Sequence, residues 1–217
     1  VIQLDLAKYN VTLLYHELGH PAEFGGIAQE EVRYILKTKE SELDVTFVYR
    51  NSILAFATIY VYPDGSPVLY TQSQPADSID AAKGLLERYQ MYTGSSHYKE
   101  MKDILNDVGK VESMTVTRGN MKLKIYAEGP IASFQWIYTT DGLEKPGLGI
   151  VFRDGNVEIF NDQWNLFKVG STTVKVPEEE AISIARNRAK NFSWKVGLDP
   201  DTQEVKDFII LESPVQA

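Results

Sequence analysis

The chain has 217 residues, of which 43% are hydrophobic and 24% charged, with a formal net charge of −8. That composition excludes wholesale disorder, a fibrous repeat and a coiled coil, and no run of 18 apolar residues reads as a membrane-spanning helix. No basic tract offers the cationic footprint that nucleic acid or anionic lipid requires, and the absence of cysteine removes disulfides, thiolate catalysis and cysteine-ligated metals.

Taken in chain order, Tyr9, Val11, Leu13 and Tyr15 alternate, which predicts a strand over 9–15. Three glycines and a proline make 19–27 a loop. Residues 28–37 read as a helix, with Val32, Ile35 and Leu36 as its stripe and Glu30 and Glu31 in the first turn. Leu43, Val45, Phe47 and Tyr49 predict a strand over 43–49, and Arg50-Asn51-Ser52 turns it into a second strand over 53–62. Pro63 to Pro67 is a further turn, and Val68 to Tyr70 a short edge segment.

Two helices follow. The first spans 78–93, capped by Asp77 or Ser78 and closed by Gly94; the second spans 97–108, with Ser96 placed to cap it and Gly109 to end it. The remainder is mostly strand. Segments 113–117 and 122–126 flank an Arg118-Gly119-Asn120 turn, and 132–139 alternates around Phe134, Trp136 and Tyr138. Asp141-Gly142 starts a turn, and Asp154-Gly155 joins strands 148–152 and 156–160 in a tight hairpin. Pro177 opens a helix rich in glutamate, whose predicted buried face is Ala181, Ile184, Ala185, the Arg188 stem and Ala189; 205–211 closes the chain as a strand.

Strands without regular βαβ alternation predict an α+β fold, with antiparallel sheets and helices packed on one face. Two related halves are expected: residues 1–110, with the long helices at 78–108, and residues 111–217. The expected contacts are Val32, Ile35 and Leu36 on strands 43–62, and Ala181, Ile184 and Ala185 on strands 148–160 and 205–211.

The sharpest motif is His16-Glu17-Leu18-Gly19-His20. On a helix this H-E-x-x-H spacing sets two imidazoles on one face to hold zinc, with Glu17 polarising the bound water. The preceding alternation, the internal Gly19 and the following Pro21 favour a strand running into a loop instead. The alternative reading therefore has Glu17 as catalytic residue and His16 and His20 as zinc ligands, while the preferred reading has no catalytic residue, metal or cofactor. His97, at a helix start, reads as a solvated residue near the cap. Asp199, Asp201 and Glu204 are candidate calcium ligands without the EF-hand spacing. Trp136, Tyr138 and Trp164, with Phe152, Phe160 and Phe167, are either sheet core or the lining of a glycan or peptide groove, and the core reading is preferred.

Residues 148–211 resemble a PepSY-type, peptidase-propeptide-like domain. The features that carry the resemblance are the hairpin Leu148 to Phe160, the acidic-start helix Val176 to Ala185 and the strand Val205 to Leu211. Residues 28–62 are similar to a more diverged second copy. The resemblance implies PepSY/cystatin-like halves and a non-catalytic extracytoplasmic module, secreted or at the cell surface, that binds or restrains a peptidase or another envelope component. It brings no catalytic residue with it. The helical insertion at 78–108 departs from the family pattern. The tyrosine-rich style is similar to that of secreted archaeal proteins, and two sequons, Asn10-Val11-Thr12 and Asn191-Phe192-Ser193, suit an exported chain. No signal-peptide pattern stands in the sequence, as expected after cleavage.

Overall fold

The computed structural model describes residues 1–20, 27–140, 142–164, 176–190, 193–198 and 205–210. The chain divides into two compact units, Val1–Lys168 and Val169–Ala217.

The first unit is built on one nine-stranded antiparallel sheet. Its strands are β1 (Asn10–Gly19), β2 (Gln29–Lys37), β3 (Glu42–Arg50), β4 (Ile53–Tyr62), β5 (Met114–Arg118), β6 (Met121–Glu128), β7 (Ile131–Thr140), β8 (Leu143–Arg153) and β9 (Asn156–Asp162). The spatial order is β1-β2-β3-β4-β9-β8-β7-β6-β5. Two meanders, β1–β4 and β5–β9, thus meet at a β4–β9 seam, and between them in sequence lie α1 (Ser78–Thr93) and α2 (His97–Ile104).

This overturns the expected α+β fold of two related helix-covered halves: the fold is dominated by a single continuous sheet. The decisive difference lies at 28–37, where the predicted helix is strand β2. Its buried residues are Val32 and Leu36, and both stand on the core face together with half-buried Tyr34, a period of two rather than 3.6. Glu30 and Glu31 serve the β1–β2 hairpin instead of a helix first turn.

The helices follow their sequence signals. Asp77 Oδ1 accepts from the Ile79 and Asp80 amides at the start of α1, and Gly94 takes φ 71° to end it. Ser96 makes no side-chain cap bond, and after Ile104 the chain tightens into a 3-10 turn over Leu105–Asp107. Leu85, Leu86 and Tyr89 of α1 join Tyr98, Met101 and Ile104 of α2 in the core. There they share one hydrophobic cluster with Leu36, Leu43, Val45 and Ile59 from the first meander and with Phe134, Ile150 and Phe160 from the second. The Tyr89 ring meets Phe160 edge-on at 4.8 Å.

The second unit holds α3 (Glu178–Lys190), β10 (Ser193–Leu198) and β11 (Val205–Ile210), with β10 and β11 paired antiparallel. Strand β10 lies where the sequence predicts no element. The predicted buried face of α3 is not buried: residues 178–187 are exposed throughout, Ile184 at 48%. The side chains of Arg188 and Ala189, residues Phe167 and Leu211, the Asp199–Glu204 calcium candidates and Asn191-Phe192 of the second sequon lie outside what is described.

Candidate functional site

Strand β1 is an edge of the large sheet, and no residue of it is buried. Its pairing with β2 sorts its side chains by face. Val11 opposes Leu36, Leu13 opposes Tyr34, His16 opposes Val32 and Leu18 opposes Glu30, so these four continue the core face of the sheet. Asn10, Thr12, Tyr15 and Glu17 take the other face, and a bulge between Leu13 and Tyr15 sets Leu14 out of register. The apolar members are uncovered: Val11 is 42% exposed, Leu13 54% and Leu18 69%. The core face of the sheet therefore runs past its covered region onto an open edge. An edge strand with free main-chain groups and an uncovered apolar face invites another chain.

The H-E-x-x-H motif begins in the same strand and ends just past it; residues 21–26, where the loop is expected, lie outside the described residues. His16 lies in β1 and exposed His20 stands just beyond its end. Four residues of extended chain span roughly 13 Å, against about 6 Å for one helical turn. Glu17 points away from the face that carries His16. His16 Nε2 sits 2.8 Å from Glu30 Oε1, and the Tyr15 hydroxyl donates to Glu31. Among the described residues, no group of three or more histidines and carboxylates is placed to hold a metal ion.

The three aromatic candidates separate. Trp136 is fully buried, and its Nε1 donates to the Met101 carbonyl at 3.0 Å, which ties α2 to β7. Tyr138 and Trp164 do come together, joined by His97, for which the sequence predicts a solvated position near a helix cap. The His97 and Trp164 rings stack with centroids 3.6 Å apart, Tyr138 meets Trp164 edge-on at 4.2 Å, and Lys145 Nζ lies 4.5 Å from the Trp164 centroid. The indole is thus already covered by its neighbours, leaving little of its face for a sugar ring. Burial, with Lys145 adding to it, holds the His97 imidazole down at about 4. Gly147 permits the packing, since a Cβ there would stand 3.0 Å from the Trp136 carbonyl oxygen and 3.2 Å from the Tyr138 ring.

A third cluster carries no sequence signal. Asp162, 7% exposed at the end of β9, accepts from the hydroxyls of Tyr89 and Tyr98 on Oδ2 and from the Trp164 amide on Oδ1. Burial, reinforced by the Asp162 charge, drives both phenols well above their ordinary range, so they remain donors. The carboxylate joins α1, α2 and β9. On its open side Arg50, Asn51, Ile53 and Ala55 border a cavity of about 160 Å³.

Comparisons of the chain with protein-family models, with curated proteins and with solved structures give no match.

Proposed function

We propose that this chain is a non-catalytic extracytoplasmic module that binds another protein along the β1 edge and thereby restrains a peptidase or another envelope component. The observation that carries the reading is the apolar face of β1, with Val11, Leu13 and Leu18 exposed beside an unpaired strand edge. A partner strand added there would satisfy the free main-chain groups and cover the apolar side chains in one step. The sequence resemblance of 148–211 and the two sequons support the compartment. Among the described residues no helix is long and apolar enough to cross a membrane.

The test is site-specific photo-crosslinking in the native cell, with the reactive group at Leu13 and, as a control, at exposed Tyr126 on β6. A discrete protein adduct at Leu13 and none at Tyr126, in an extracytoplasmic fraction, is the expected result. Adducts of equal yield at both positions, or none at Leu13, would overturn the proposed edge. Recovery of the chain from the cytoplasm would overturn the compartment.

A further inference from the structure

The β4–β9 seam that joins the two meanders is short. Strand β4 pairs with β3 along its whole length, as far as Tyr62, yet pairs with β9 only through Phe56–Asn161, Ala57–Phe160 and Thr58–Ile159. Strand β9 pairs with β8 down to Asn156. Residues 59–62 and 156–158 therefore each have one strand neighbour and face one another without pairing. The cause is local. Phe152 opposes Val157 while Val151 opposes Ile159, so Glu158 is an extra residue that bulges β9 where its pairing with β4 stops. Such a bulge bends its strand and ends a ladder.

The result is a slot of about 290 Å³ inside the sheet, lined among others by Ile59, Tyr60, Tyr62, Val157 and Glu158. Its floor is apolar, since Ile59 and Val157 belong to the buried set; Tyr60 and Tyr62 on the opposite face are 42% and 52% exposed. Carboxylates outnumber cations in its lining. Arg153 Nε is held by Glu158 Oε1 at 2.7 Å; Asp64 and Asp154, which also line the slot, lie close enough to act on the same guanidinium, and neither forms an ion pair among the described residues.

We propose that this slot is a strand acceptor, which takes an extended segment of a partner protein between β4 and β9, with a lysine or arginine of that segment set against Asp64 and Asp154. Two facing strand edges supply main-chain hydrogen bonds on both sides of an inserted peptide, and a bulged, three-pair seam can widen with little pairing to lose. The net negative lining selects a basic segment over an acidic one. The inference rests on the protein-binding reading for the class of its ligand, but it lies on a surface separate from β1.

The probe is the peptide acetyl-Lys-Thr-Val-Thr-Val-Lys-amide, with acetyl-Glu-Thr-Val-Thr-Val-Glu-amide as its charge-reversed control, added to the full chain. Amide hydrogen exchange and titration calorimetry are the readouts. The basic peptide should bind at least about tenfold more tightly than the acidic one, with new protection confined to residues 59–62 and 156–158. The double variant D64N/D154N should lose most of that preference while melting like the parent; asparagine tolerates the left-handed φ of 50° at position 154. Leu13→Asp should leave peptide binding unchanged. Equal binding of the two peptides, protection falling on β1 or β5, or no binding at about 1 mM would overturn the proposal. Failure of the crosslinking at Leu13 with the slot still selective would overturn only the β1 edge, and the reverse pattern only the slot.

Discussion

The Tyr98 hydroxyl donates to Asp162 Oδ2 at 2.6 Å, across 64 residues of sequence. The Tyr89 hydroxyl lies 2.8 Å from the same oxygen and 2.6 Å from the Leu54 carbonyl, so its single proton is shared between the two acceptors. One buried carboxylate thereby fixes both helices to the middle of the sheet, close to the three-pair β4–β9 seam. Low local dielectric makes such a cluster strong when complete and costly when a member is missing.

Removing the carboxylate should therefore cost more than removing either phenol. Asp162→Ala takes the acceptor from the Tyr98 hydroxyl and the Trp164 amide and leaves Tyr89 the Leu54 carbonyl alone, and should destabilise by about 3 kcal/mol, whereas Tyr98→Phe should cost about 2 kcal/mol. Urea denaturation of the two single variants and the double variant checks this. The double variant should be less destabilised than the sum, because Tyr98→Phe no longer strands a partner once Asp162 is gone. Strict additivity would mean that the hydrogen bond is not formed in solution.

His97 makes stability fall on acidification. Its imidazole stands at about 4 in the folded chain against the ordinary 6.5, because it is buried and sits near Lys145. The unfolded chain therefore takes up a proton first as pH falls. The contribution is complete above about pH 6.5 and lost progressively toward pH 4. His97 is partly solvated, so the full shift is discounted to about 1–2 kcal/mol over that interval. Chemical denaturation at pH 7, 5.5 and 4.5 should show the decline, and His97→Gln should flatten it. A slope unchanged by that substitution would assign the decline to carboxylates alone.

The sequence is readable wherever one local signal dominates. The Asp77 cap and Gly94 bound α1, Asp154-Gly155 turns β8 into β9, and the alternation of Phe134, Trp136 and Tyr138 identifies the buried face of β7. The helix expected over 28–37 is instead strand β2; the sequence admits both because Val32 and Leu36 fit both periods. The choice turned on Ile35 against Tyr34, and on glutamates whose partners, His16 and Tyr15, lie on the neighbouring strand. Pairing context outweighs intrinsic preference at such an edge. The Asp162 cluster and the join of His97 with Trp164 depend on contacts more than 60 residues apart, and no spacing rule reports them. The apolar alternation of β1 is legible in the sequence; its exposure among the described residues is not.

Gly147 should not accept a side chain. A Cβ at this position would lie 3.0 Å from the Trp136 carbonyl oxygen, which is backbone and cannot swing aside. Gly147→Ala should destabilise by about 1–3 kcal/mol through overpacking. It should also disturb the Tyr138–Trp164 contact, seen as a change in tryptophan fluorescence of the native state. An alanine variant with the parent's melting temperature and emission would show that β8 is free to shift here.

Ile184 provides the converse case. Its place in an apolar stripe of α3 predicts a buried residue, and an aspartate there would then leave an unpaired charge in the core. Ile184 is instead 48% exposed, on a helix exposed from Glu178 through Asn187. An aspartate at such a site stays hydrated, and its cost reduces to the small difference in helix preference, about 0.5 kcal/mol. Ile184→Asp should accordingly melt within a few degrees of the parent, while Leu85→Asp, at a fully buried position of α1, should not yield folded protein. Circular dichroism melts of the two variants make the comparison. A loss of several kcal/mol at Ile184 would show that α3 is covered in solution and that its apolar stripe belongs to a core.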